Sequence, residues 1–336
     1  MTSWFEDPSW PRASEWLGTA SSPSPGAKLV VLGAPLGRQS ITPGRCDLAP
    51  DAIRAGLRRF SPFDLAHQRD LRELVVRDAG NLPMEQSTPE ASFDLLAAAV
   101  RQALATAEAL VLLGGNNSIT YPACCGMGIP LEKCGLITLD AHLDLRHLEF
   151  GLLNGNPVRA LLEKGLPADN IFQVGIQSFA NSADYVADAV QAGIHVIPVE
   201  TVAERGLPEI IRDSLCKLSA RTEAVYVDLD LDVMDRTFAP ATTGSRPGGL
   251  MPRELRAAAY ECGAHPAVRV FDIVELDPTG DRDDVTLLAA GACLLSFASG
   301  LLGRIPQEKK ITTDPNSLSP RVRPKVPRTP ARLDPR

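Results

Sequence analysis

Eight short runs of aliphatic or β-branched residues recur along the chain, each separated from the next by a segment long enough for a helix and its turns. They are Leu29 to Leu32, Leu74 to Val76, Leu110 to Leu113, Leu136 to Leu139, Ile171 to Val174, His195 to Val199, Ala224 to Leu229 and Val268 to Ile273. They read as continuous apolar runs rather than strict alternation, so burial on both faces is expected, as in a parallel sheet covered by helices. Helices are expected over Pro50 to Arg58, from Thr88-Pro89 toward Glu108, and over Pro157 to Lys164, Ala183 to Ala192, Pro208 to Leu218, Pro252 to Glu261 and Val285 to Leu302. The second begins with threonine capping chemistry and proline in its first turn. The pattern predicts an α/β fold built on a mainly parallel sheet of about eight strands.

No internal repeat and no linker interrupts the pattern before residue 303, so residues 28–303 are expected to form one domain after an extension over residues 1–27. Residues 304–336 read as a disordered, basic, Pro-rich tail. From Ile305 onward the chain has seven prolines, and eight Lys or Arg against three acidic residues, a net of +5. The chain as a whole carries −7, which leaves −12 for the rest. That acidic body argues against nucleic acid as a partner, since such binding rests on neutralising phosphates. No window approaches eighteen consecutive apolar residues, and Met1 to Trp10 has neither a basic nor an apolar signal region. A membrane partner and a secretory signal are therefore disfavoured and a cytoplasmic location is expected. The seven cysteines include no CxxC pair and are expected to be reduced thiols, most of them buried.

In an open parallel sheet, ligands bind where strands end at their carboxyl termini. Two of those ends are unusually acidic. Leu136 to Leu139 leads into Asp140-Ala-His142-Leu-Asp144-Leu-Arg146, with functional groups at every second position, which in extended backbone project to one side. Ala224 to Leu229 leads into Asp230-Leu-Asp232-Val-Met-Asp235, with Asp228 one step back in the same parity. Such a gathering of carboxylates is costly unless a cation neutralises it. Oxygen-rich donors with one imidazole suit a hard or borderline ion such as Mn²⁺ better than a structural zinc. Enough carboxylates are present to bridge two ions, which together could activate water and polarise an electrophile. A third segment, Gly114-Gly-Asn116-Asn117-Ser118, follows another apolar run. Its paired glycines permit close backbone approach, and neither a dinucleotide fingerprint nor a P-loop is present.

Together, GGNNS, DAHLD and DLDLDVMD followed by Phe238-Ala-Pro240 resemble the three metal-binding signatures of the ureohydrolase superfamily of arginase, agmatinase and formimidoylglutamase. The segments from Gly44 to Arg54, Pro247 to Leu250 and Asp272 to Pro278 are similar to further family segments, in order, across residues 28 to 303. The resemblance implies an arginase-like three-layer α/β/α sandwich and two Mn²⁺ per subunit. Asp140 and Asp230 would bridge the ions, His142 and Asp232 would complete one site, and Asp144 would belong to the other. It also implies that Glu275 pairs with the cationic end of the substrate and that Asp235 supports the site from behind. A small amidine substrate and a homo-oligomer are expected on the same basis.

Three asparagines depart from the arginase pattern. Asn116 and Asn117 stand where the family commonly has Asp-His, so a histidine ligand becomes the amide of Asn117, with Asn116 beside it; its carbonyl oxygen can bind a hard cation but is neutral and weaker, so one of the two metal sites is expected to be weak or to take a different divalent ion. Asn154 stands where arginase carries a proton-shuttling histidine, and an amide exchanges no proton near neutral pH. With DLR after the second signature and the NGNPVR segment, the chain resembles a bacterial formimidoylglutamase-like branch more than arginase. Arg146 follows the acidic comb in the same parity and could hold a substrate carboxylate through two parallel hydrogen bonds. The expected reaction is hydrolysis of N-formimidoyl-L-glutamate to L-glutamate and formamide, as in histidine degradation, with Asn154 and Glu275 as further substrate contacts. Agmatine hydrolysis to putrescine and urea, or the reaction of a related guanidino-acid ureohydrolase, is one alternative, and a family member that acts as a scaffold without catalysis is the other.

Overall fold

The computed structural model of the protein describes residues 7–17 and 26–304. Every apolar run noted above contributes to a strand of one sheet: β1 (Leu29–Ala34), β2 (Val76–Asn81), β3 (Ala109–Gly114), β4 (Cys134–Leu139), β5 (Ile171–Ile176), β6 (His195–Pro198), β7 (Ala224–Asp230) and β8 (Val268–Val274). All neighbours pair in parallel, in the order β2-β1-β3-β8-β7-β4-β5-β6. The sequence alternates between the two faces. Leu29, Val31, Val111 and Leu113 join one apolar core, while Val30, Leu32, Leu110 and Leu112 join the other.

The first core is closed by α1 (Ala49–Gly56), α7 (Leu207–Ser219), α8 (Pro252–Ala264) and α9 (Val285–Leu302). Against the second pack α2 (Pro89–Leu104), α3 (Thr120–Cys125), α4 (Pro157–Lys164) and α5 (Ala183–Ala192). The arrangement is the three-layer α/β/α sandwich. Local chemistry sets the helix ends. Thr88 accepts a hydrogen bond from the Ala91 amide at the start of α2, and Ser182 does the same for Tyr185 at the start of α5. Helix α9 is long and apolar enough to cross a bilayer by length and composition, but 67% of it is buried inside the fold, where it packs against α8 as a core helix.

The expectation of burial on both faces describes the interior strands and fails at the two edges. β2 and β6 are only partly covered. The Leu74–Val76 run marks the entry to β2 rather than the strand: Leu74 is tucked into the core, and the strand continues through Arg77, Asp78 and Asn81, polar residues that an edge position tolerates. At the opposite edge Val199 leaves the strand and opens a further helix, α6 (Val199–Arg205). Neither α6 nor the short α3 is legible as a separate periodic segment. All seven cysteines are free thiols, five of them buried. Most of the expected extension and nearly all of the expected tail (residues 1–6, 18–25 and 305–336) lie outside the described residues.

Candidate metal centre and substrate cavity

Four adjacent central strands, β3, β8, β7 and β4, end side by side, because their registers pair Leu113 with Ile273, Val274 with Asp230 and Leu229 with Leu139. The chain leaving them carries Asn117, Glu275, Asp230 to Asp232, and Asp140 to Arg146. The last three of these segments wall a cavity of about 330 Å³ whose lining includes His142, Asp144, Arg146, Asn154, Asp230, Asp232 and Glu275, and Asn117 supports it through hydrogen bonds to Glu275 and Asp144.

Beyond the strand ends, at Leu139 and Asp230, the acidic segments are not extended. β4 ends at Leu139, and the Asp140 carboxylate accepts the His142 amide at 2.6 Å, folding the chain into a turn. Asp230 likewise accepts the Asp232 amide at 2.8 Å, and residues 231–233 form a 3₁₀ turn. Parity therefore brings the right side chains together for a different reason. An aspartate that caps the amide two residues ahead closes a turn around its own carboxylate. Asp144 (φ 52°) and Glu275 (φ 65°) hold left-handed backbone conformations, which non-glycine residues rarely adopt and which concentrate at functional sites.

Asp140, His142 and Asp232 each present a donor atom within 4.8 Å of the others, with His142 Nδ1 2.9 Å from Asp232 and 3.4 Å from Asp140. Burial, reinforced by Asp232, raises Asp140 to about 6. Burial and neighbouring carboxylates push Asp144 and Asp230 well above the usual carboxylate range. Burial opposes charge on His142, but Asp232 and Asp140 outweigh it and raise the imidazole to about 11. Beneath them Asp228, fully buried, has no hydrogen-bond partner on either oxygen among the described residues. Carboxylates here outnumber positive groups, and the donors are oxygens with one imidazole, so the site fits divalent cations.

The asparagines occupy distinct places. Asn117 donates its amide to Asp144 at 2.7 Å while its carbonyl oxygen accepts from Thr120 at 2.8 Å. Its backbone N–H donates to Glu275 at 2.7 Å, and Asn154 donates to the same carboxylate oxygen at 3.1 Å. Burial nonetheless lifts Glu275 to about 7 against these two bonds. Asn116 faces away from the cavity: its amide donates to the Arg38 carbonyl and its oxygen accepts from Ser118. Asp235 is also outside, accepting from the Thr237 and Gly248 amides at 2.8 and 2.7 Å and so fastening the loop beyond Asp232. Arg146 lines the cavity and makes no ion pair among the described residues, whereas Arg159 is held away by the Leu145 carbonyl and Asp188.

That loop adds two residues to which the sequence assigns no individual role. Gly244 runs so close to the cluster that a Cβ would lie 1.9 Å from Asp232 Oδ2. Arg246 lines the cavity with its Nη1 2.8 Å from His142 Nε2. Both fall just before the Pro247 to Leu250 segment, whose glycine content was the available pointer to close approach.

Residues 27–299 match the profile of the arginase family. The chain belongs to that family. Among individual arginase-family members, it is 33% identical over 274 residues to a formimidoylglutamase of Halalkalibacterium halodurans, covering 80% of this chain and 86% of that one. The crystal structure of a formimidoylglutamase from Bacillus subtilis superposes with a TM-score of 0.83 at 28% identity, covering 89% and 94% of the two chains. A Trypanosoma cruzi formiminoglutamase, solved with Mn²⁺, shares the fold with a TM-score of 0.80 at 23% identity, covering 88% of this chain and all of that one. The eight-stranded α/β/α sandwich described above is thus the arginase fold.

Proposed function

We propose that this arginase-family protein is a formimidoylglutamase, hydrolysing the C–N bond of N-formimidoyl-L-glutamate to L-glutamate and formamide. Similarity to formimidoylglutamases in sequence and structure supports the reaction. The observation that carries the choice of substrate is Arg146, a guanidinium on the cavity wall with no carboxylate partner among the described residues. An acidic substrate supplies that partner, whereas the ammonium of agmatine would be repelled.

Asp140, His142, Asp144, Asp230 and Asp232 would hold two Mn²⁺; the manganese of the Trypanosoma cruzi relative supports the choice of metal. Bound there, the cations supply an activated water and polarise the amidine. Asn117 keeps Asp144 in place through its amide and, with Asn154, directs the Glu275 carboxylate into the cavity. Glu275 is the acceptor for the amidinium N–H groups, whose positive charge relieves the penalty of burying a carboxylate. The Asp235 loop closes the wall beside Asp232.

The test is a product assay on protein preloaded with Mn²⁺, with formimidoylglutamate and agmatine run side by side. Formamide and glutamate in stoichiometric amounts are expected. Urea from agmatine with no formamide would overturn the substrate, and silence on both with metal bound would overturn the reaction.

A further inference from the structure

The cavity holds a second guanidinium with an unoccupied hydrogen-bonding edge. Arg246 Nη1 is anchored by the Gly244 carbonyl at 2.6 Å and lies against His142 Nε2. Its Nε and Nη2 atoms have no hydrogen-bond partner among the described residues, and it forms no ion pair there despite the aspartates nearby. The Nε–Nη2 edge is the one that grips a carboxylate through two parallel bonds. The loop that presents it is itself fixed. The Arg236 guanidinium donates to the Thr242 carbonyl at 2.5 Å, the Arg236 amide donates to the Arg246 carbonyl, and Asp235 holds Gly248.

The two free arginines lie at different depths. Arg246 is half-buried against His142, beside the metal cluster. Arg146 is exposed on the outer wall, with its Cδ 3.0 Å from where a Cβ on Gly155 would be. N-formimidoyl-L-glutamate carries its carboxylates at two depths as well. The α-carboxylate hangs from the carbon bonded to the scissile nitrogen, and the distal one lies at the far end of the side chain. We propose that Arg246 binds the α-carboxylate next to the scissile bond while Arg146 takes the distal carboxylate, so that Arg246 selects N-formimidoyl α-amino acids as a class.

This inference rests on the proposed reaction, and three substrates separate the two. N-formimidoyl-L-glutamate has both carboxylates, N-formimidoyl-L-2-aminobutyrate has only the α-carboxylate, and 4-(formimidoylamino)butanoate has only the distal one. In Arg246→Gln, KM is expected to rise at least about 30-fold for the first two and to stay within about two-fold for the third, which reports that fold and metal are intact. Arg246→Lys should recover part of the loss, because it restores charge without the fork. Arg146→Gln should raise KM for the first and third compounds only. Calorimetric titration of the Mn²⁺-loaded protein with L-glutamate gives a readout independent of turnover, in which Arg246→Gln binds more weakly than wild type. Unchanged KM values in Arg246→Gln, or an equal rise for all three compounds, would overturn the assignment while leaving the reaction standing. Wild type that hydrolyses none of the three but binds glutamate through Arg246 would overturn the reaction and keep the carboxylate site; failure of both turnover and glutamate binding would overturn both.

Discussion

Single side chains decide most in the acidic cluster, because low-dielectric surroundings magnify each charge there. Asp230 is buried, its pKa is driven up by burial and by Asp232 and Asp140, and one of its oxygens already caps the Asp232 amide. Asp230→Asn preserves size and removes the charge. It is expected to lower turnover of formimidoylglutamate by roughly three orders of magnitude or more, measured as formamide released, and wild-type activity would refute the two-metal arrangement. Gly244 tests the cluster from its other side. A Cβ there would overlap Asp232 Oδ2 and touch His142 Cε1 at 3.0 Å, so Gly244→Ala must displace the Asp232 carboxylate, one of the proposed manganese ligands. A fall of about tenfold or more in manganese affinity is expected, read by titration of the metal-free protein, with the fold retained by circular dichroism. Of the site residues, the aspartates and His142 were legible in the sequence because charged groups at strand ends have few other reasons to gather. Gly244 and Arg246 were not, because nothing in their neighbours says which wall of which cavity they join.

At the scale of elements, the strands were readable wherever both faces are covered and least so at the sheet's edges. β6 shows why. Its burial is partial, and its first residue, His195, stacks on Phe172 of β5 at 4.1 Å with a buried Nε2 that has no hydrogen-bond partner among the described residues. Burial and the nearby cations of Arg221 and Lys217 lower the His195 pKa from 6.5. A histidine depressed in the folded state binds fewer protons there than in the unfolded chain, so its contribution is present above the unfolded pKa and is lost as pH falls from that value through the lower folded one. His195→Gln is therefore expected to flatten the loss of stability between about pH 7 and pH 5, checked by denaturant midpoints at both values. An unaltered pH dependence would show that His195 titrates as it does in the unfolded chain. The acidic segments teach the complementary lesson. Their alternation read as extended strand, yet aspartate side chains captured the amides ahead of them and made turns, and the same residues still converged.

Across the whole molecule, the order of the strands creates the site. β3, β8, β7 and β4 are distant in sequence but adjacent in the sheet, and their common register brings four loops together, three of them lining the cavity and the β3 loop bonding to Glu275 and Asp144. The same convergence places like charges together, so folding and metal binding are linked. Manganese at about a hundred times its dissociation constant should stabilise the native state by about 2.7 kcal/mol per site, and chelation should lower the melting temperature by several degrees, seen by calorimetry with and without the metal. An unchanged melting temperature would mean that the folded protein does not bind the ion. By itself, the sequence determined the parallel α/β class, the positions of its strands and most of its helices, and the presence of two acidic strand ends, because hydrophobic period and local capping act within a few residues. Only the tertiary structure decided that Asn117 turns its amide to Asp144, that Asn116 and Asp235 stand outside the cavity, and that Gly244 and Arg246 reach the cluster. Those outcomes depend on which distant segments share a wall, and that is set by strand order and packing rather than by any local pattern.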